Sequence, residues 1–146
     1  MAIQQVYLIR HGETKWSLSG QHTGITDIPL TENGRKVARL LKPVLAKETF
    51  ALVLTSPLER ARQTCELAGL GERAEVDNDL MEWNYGAHEG LTPKQIHAQA
   101  PGWMLFSDGC PGGKSFRTGW RPRRSGDCPV ARVGRECRPF CPWPYF

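Results

Sequence analysis

Apolar and polar positions alternate along the first two-thirds of the chain in short runs, each ending on a turn or cap residue. Gln5-Val6-Tyr7-Leu8-Ile9 is a β-branched and aromatic run, which predicts a buried strand. It ends at Arg10-His11-Gly12-Glu13, where Gly12 permits a sharp turn. A polar loop is expected from there through Pro29. Thr31 can cap a helix in which Val37, Leu40, Leu41 and Val44 fall at i, i+3, i+4 and i+7, one apolar stripe. Phe50-Ala51-Leu52-Val53-Leu54 predicts a second strand. The run Ser56-Pro57-Leu58-Glu59 then reads as a helix start. Ser56 is the cap, Pro57 the first helical residue and Glu59 the partner in a capping box. That helix is expected to reach about Ala68, before Gly69. Ala74-Glu75-Val76 is a third, short strand candidate, and Thr92-Pro93 begins another helix. Strand and helix alternating with connections of this length imply an α/β fold with a parallel sheet. Ligands of such sheets bind at the carboxyl ends of the strands, which singles out Arg10-His11-Gly12 and the segment from Ser56 to Arg62.

Composition divides the chain. Residues 1–113 hold 11 Lys and Arg against 13 Asp and Glu, a net charge of −2. Residues 114–146 hold 8 against 2, a net of +6, with five of the 11 prolines and three of the five cysteines. The overall charge of +4 is therefore a property of the tail, and the body is an ordinary soluble domain. No apolar run approaches the roughly 20 residues of a membrane helix. The N-terminal residues carry no secretory pattern, and Cys65 and Cys110 stand alone. Both features fit a cytoplasmic, reducing setting.

A histidine beside an arginine is an odd choice for a packed core. The cation disfavours protonation of the ring and leaves a lone pair free. A neutral imidazole can attack phosphorus, and the incoming anion is matched by guanidinium forks. Arg10 is adjacent to His11. Arg60 falls on the first turns of the second helix, whose N-terminus favours negative charge. No Walker-type glycine-lysine loop and no cluster with metal-ligand spacing occurs in the body.

Three ordered blocks resemble the histidine phosphatase superfamily, the phosphoglycerate mutase-like fold. They are Leu8-Ile9-Arg10-His11-Gly12-Glu13-Thr14, then Thr55 through Thr64 (TSPLERARQT), then Leu80 through Gly90 (LMEWNYGAHEG). Thr23-Gly24, Asp27, Pro29-Leu30 and Gly34 fit the family's linking segment. The resemblance implies a three-layer sandwich around a mostly parallel sheet, and phosphoryl transfer through a phosphohistidine. It makes His11 the nucleophile, and Arg10 and Arg60 the ligands of the phosphoryl oxygens. Glu82 becomes the general acid, with Trp83 and Tyr85 close enough to desolvate its carboxyl and favour the protonated form. Ser17, Thr23 and Gly24 occupy substrate-contacting positions, and mutases carry Asn where this chain has Ser17, which favours a phosphatase. The substrate class is a small phosphorylated metabolite such as a sugar phosphate or phosphoglycerate. No metal or cofactor is implied, except a bisphosphorylated primer if the reaction is a phosphoglycerate mutase's. No nucleic acid or membrane partner is implied either. His22, His88 and His97 read as surface or loop residues, with His88 and Glu89 placed to shape the pocket.

The resemblance covers about residues 3 to 116, which makes residues 1–116 the N-terminal part of a histidine phosphatase domain, and it stops near Phe116; Lys114 already replaces the family's usual acidic residue. Relatives continue into a strand that ends in a second phosphoryl-binding histidine, typically Ala-His-Gly, whereas this chain has no histidine after His97. Read one nucleotide later, the tail codons permit a family-like helix and, from Arg135, Gly-Asn-Val-Ala-Leu-Phe-Ala-His-Gly. Residues 117–146 therefore read as a shifted reading frame on a truncated domain, which makes a non-catalytic remnant the rival reading. Cys128, Cys137 and Cys141 lack a C-x-x-C pair, and the tail arginines alone make a weak case for nucleic acid.

Overall fold

The structure is a computed structural model and describes residues 5–114. Its helices are α1 (Lys15–Ser19), α2 (Glu32–Leu45), α3 (Glu59–Leu67), α4 (Pro93–Gln99) and α5 (Leu105–Asp108). Its strands are β1 (Val53–Thr55) and β2 (Ala74–Val76), and short 3₁₀ turns lie at Gly71–Arg73, Asn78–Leu80 and Gly86–His88. The strands pair in parallel, with Val53 opposite Ala74, Leu54 opposite Glu75 and Thr55 opposite Val76. Since α3 connects them, β1-α3-β2 is the crossover unit that parallel pairing requires. The α/β class stands.

The expected first strand does not form. Residues 5–9 are in no strand, and Val6 and Leu8 are 64% and 61% exposed. Only Tyr7 has a described ring partner, meeting Phe50 edge-on at 5.3 Å. An apolar run becomes a strand only where a neighbouring edge takes up its backbone groups, and among the described residues the sheet has two strands. The second strand is shorter than expected and lies slightly later, at Val53–Thr55, whereas Ala74–Val76 forms as read. The boundary at Phe116 and the shifted reading frame of 117–146 lie outside the described residues.

Thr31 caps α2, its hydroxyl accepting from Gly34 N at 2.9 Å. The expected stripe, however, faces out: Val37, Leu40 and Val44 are exposed, Leu40 by 70%. Gly34, Ala38 and Leu45 form the buried face instead, with Leu41 half-buried beside them. The two faces differ by one residue and share Leu41, so periodicity alone cannot choose. Close approach does: a Cβ at Gly34 would overlap the backbone of Glu13, so the small-residue face is the one that can be covered.

Helix α3 starts two residues later than its sequence signal. Leu58 is the N-cap residue and supplies no side-chain hydrogen bond. The cap comes from another segment: the Asp27 carboxylate accepts from Glu59 N at 2.9 and 3.1 Å, an anion at a helix N-terminus. Ser56 reaches only Leu58 N, at 3.4 Å, and Glu59 accepts from Gln63 at 2.6 Å. The polar loop before Pro29 also contains α1, which sequence reading missed. Its signal was present: Thr14 and Ser17 make a capping box, with Thr14 N donating to Ser17 Oγ at 2.8 Å and Ser17 N donating to Thr14 Oγ1 at 3.1 Å. Helix α4 follows its prediction, with a Thr92–Gln95 capping box, Pro93 in the first turn and Ile96 fully buried.

Candidate active site

The two segments picked out by the strand-end rule meet. Gly12 N donates to Thr64 Oγ1 at 2.9 Å across 52 residues of sequence, and the Thr64 hydroxyl donates to Arg60 O at 2.7 Å. A buried threonine on α3 thus ties the histidine loop to the helix that carries Arg60. Gly12 is required there, because a Cβ would lie 2.8 Å from Gly34 O.

This tether fixes a chemical property of His11. Its Nδ1 lies 2.7 Å from Gly12 O, and a carbonyl oxygen only accepts, so Nδ1 carries the hydrogen. In the neutral ring the lone pair is then on Nε2. Burial is the main influence holding the His11 pKa below its ordinary value; the Gly12 carbonyl and Glu82 oppose it, while Arg60 and Arg10 add to it. Arg60, Arg10 and Glu82 all lie within electrostatic reach of this one ring.

Arg60 is 2% exposed, and it is the largest of the fully buried side chains among the described residues. Its NH2 group donates to Gly24 O at 2.7 Å and its NH1 group to Thr26 O at 3.0 Å. Burial lowers its pKa, opposed by the carboxylates of Glu82, Asp27 and Glu89. A guanidinium stays charged in such a setting. It is a buried cation held by two backbone carbonyls.

Glu82 departs from expectation in its surroundings. It is exposed, and its Oε1 accepts from Trp83 N at 2.8 Å. The rings expected to desolvate it pack elsewhere: Trp83 meets Phe106 edge-on at 6.4 Å, and Tyr85 stacks on His22 at 4.6 Å. The neighbouring backbone turns these rings inward and leaves the carboxylate in solvent.

Ser17 is exposed, and its hydroxyl is committed to the cap of α1, donating to Thr14 O at 2.9 Å. Thr23 is turned to its own loop, its hydroxyl donating to Gln21 O at 3.3 Å. Gly24 is buried and its carbonyl holds Arg60, so its described role is to support the arginine. Of the histidines read as surface or loop residues, His22 lies in a loop but is half-buried, and His88 is buried. His88 is buried against Trp103, edge to face at 4.8 Å, and the half-buried His22 has no hydrogen-bond partner at Nε2. His97 is exposed, as expected. Thr64, Thr26 and Asp27 support the site, yet no local spacing in the sequence predicts contacts that span so much of the chain.

Burial, followed by the charge of His88, also holds the His22 pKa below its ordinary value of 6.5. With His11 and His22 both lowered, the unfolded chain binds more protons than the folded one below pH 6.5. Stability from these two groups is complete above that value and is lost as pH falls toward the folded pKa values. Urea midpoints are therefore expected to fall between about pH 7.5 and 5.5. His22→Gln, with its own titration removed, should flatten that slope; an equal slope in both proteins would contradict the assignment.

Among the described residues, no group of three His, Cys, Asp or Glu side chains is placed to hold a metal, and no helix is long and apolar enough to cross a membrane. A family model described as histidine phosphatase superfamily (branch 1) matches residues 6–126. An acid phosphatase of Mycobacterium tuberculosis is 43% identical over 113 residues, which are 76% of this chain and 55% of that protein. The sedoheptulose 1,7-bisphosphatase of Saccharomyces cerevisiae is 36% identical over 132 residues, covering 74% of this chain and 48% of its own. The solved structure of an open reading frame product from Mycobacterium tuberculosis superposes with a TM-score of 0.66 at 42% identity, over 73% of this chain and 56% of that one. The chain thus spans about half the length of the curated relatives it matches.

Proposed function

Because this chain belongs to the histidine phosphatase superfamily (branch 1), we propose that its site transfers a phosphoryl group through His11, hydrolysing a phosphomonoester of a small metabolite. The observation that carries the reading is the hydrogen bond from Nδ1 of His11 to Gly12 O, which leaves the lone pair of the neutral ring on Nε2. In the first step the Nε2 lone pair forms a bond to phosphorus. The phosphorus–oxygen ester bond breaks, and Glu82, as the general acid, passes a proton to the departing alkoxide. Arg10 and Arg60 bear the charge on the three phosphoryl oxygens, where preformed donors act most strongly on the transition state. In the second step water attacks phosphorus, its proton passes to the Glu82 carboxylate, and the phosphorus–nitrogen bond breaks to return the pair to Nε2. Exposure of Glu82 suits this exchange of protons with water.

A sugar phosphate or phosphoglycerate fits the names of the relatives, and the chemistry requires no cofactor; a mutase reaction would add a bisphosphorylated primer. A cytoplasmic setting agrees with Cys65 and Cys110 both being free thiols. A second reading, a non-catalytic remnant, is favoured by the exposure of Val6 and Leu8. One trapping experiment decides between them. After brief exposure to p-nitrophenyl phosphate and quenching, the chain is expected to carry acid-labile, base-stable phosphate on the peptide that contains His11. A chain that releases p-nitrophenol with no such label, or that never labels, would reject the first reading.

A further inference from the structure

Arg60 is a buried cation without a carboxylate in contact: among the described residues the ion pair is Arg39 with Glu32, on the surface of α2. Its compensation is indirect. The segment Gly24-Ile25-Thr26 lies between Arg60 and Glu89. On one side the carbonyls of Gly24 and Thr26 accept from the guanidinium at 2.7 and 3.0 Å. On the other side the backbone N–H groups of Ile25 and Thr26 donate to Glu89 Oε1 and Oε2, each at 2.8 Å. The Thr26 hydroxyl also donates to Oε2, and Tyr85 N reaches Oε1 at 3.4 Å. Peptide dipoles in this turn thus point their positive ends at a carboxylate and their negative ends at a guanidinium.

The arrangement needs a glycine at position 24. A Cβ there would overlap Glu89 Oε1 and the Trp83 carbonyl, so only a residue without one lets the carboxylate come up against the turn. Burial pushes the Glu89 pKa up, but the hydrogen bonds from Thr26, Ile25 and Tyr85 outweigh it and hold the group below its ordinary value. It is ionised at neutral pH.

We propose that Glu89 is a positioning residue for Arg60: through the Gly24–Thr26 turn it sets where the guanidinium presents its remaining donors to a phosphoryl group. Its own oxygens are occupied by the turn, so it acts through the arginine. The proposal rests on the reading of Arg60 as a phosphoryl ligand. Substituting Gln keeps the length of the side chain but places an NH2 group against either Ile25 N or the two donors of Thr26. Two donors then face each other, and the turn must shift.

The test is a double-mutant cycle on the full chain, with inorganic phosphate as probe, read by the shift and broadening of its ³¹P resonance. Arg60→Lys alone is expected to weaken phosphate binding about tenfold or more, and Glu89→Gln alone by a comparable factor, as expected for a donor misplaced by about 1 Å. The double variant is expected to be no weaker than Arg60→Lys, because Glu89 has nothing left to position. Factors that multiply in the double variant would overturn the proposal, since they would show Glu89 acting independently of the arginine. Normal binding by Glu89→Gln alongside weakened binding by Arg60→Lys would overturn it as well, while leaving the functional reading in place. Unchanged binding by Arg60→Lys would reject that reading and the proposal together. Should Glu89→Gln fold poorly, Thr26→Val removes the hydroxyl donor to Oε2 and leaves the backbone contacts; a smaller loss of phosphate affinity, again absent in the Arg60→Lys background, is expected. No loss, or an equal loss in both backgrounds, would count against the positioning role.

Discussion

Alanine at position 11 is expected to reduce hydrolysis of p-nitrophenyl phosphate to the rate in buffer alone. The reason is the absence of a substitute among the described residues. The other histidines of the chain, His22, His88 and His97, gather around Trp103 at ring distances of 6.0, 4.8 and 6.3 Å, and none of them is among the groups whose charge acts on His11. The thiols of Cys65 and Cys110 have their pKa values raised, chiefly by burial, and thiols held protonated make poor nucleophiles. The expected effect is loss of the covalent intermediate itself, so added substrate cannot restore it. His11→Ala retaining turnover close to that of the unaltered chain would remove the phosphohistidine from the mechanism. The fold should tolerate the change, because the peptide at Gly12, which makes the tie to Thr64, is unaltered.

Arg60→Ala is expected to damage both stability and activity. Truncation leaves the carbonyls of Gly24 and Thr26 without their donors in a buried space and opens a cavity the size of a guanidinium. Leaving buried carbonyls unpaired typically costs about 1–3 kcal/mol each. The transition state loses a charged donor as well, which is worth on the order of 10² to 10³ in rate. Lysine keeps the charge but not the fork, and it cannot serve two carbonyls and a phosphoryl group in the same geometry. Arg60→Lys should therefore recover much of the stability and only part of the rate. Chemical denaturation and steady-state kinetics on both variants separate the two effects. A rate for Arg60→Lys equal to that of the native chain would show that the arginine is a structural cation only.

Local chemistry determined much of this protein. Thr31 and the Thr92-Pro93 pair announced their helices, Ala74–Val76 its strand, and the order of elements the α/β class, because caps and side-chain periodicity act over a few residues and are written in consecutive positions. The three blocks around His11, Arg60 and Glu82 identified the family before any contact was known. Tertiary structure decided the rest. It placed Val6 and Leu8 in the open, since an apolar run has no strand without a paired edge. It turned the 34/38/45 face of α2 inward, since only Gly34 and Ala38 admit a close backbone. It capped α3 with Asp27, from a segment 32 residues away, in place of its own serine. Above all it set Arg60 in a turn held from behind by Glu89, linking positions 24, 60 and 89 through backbone groups. Main-chain carbonyls and N–H groups are alike in every residue, so contacts made through them leave no mark in the sequence until the fold brings them together.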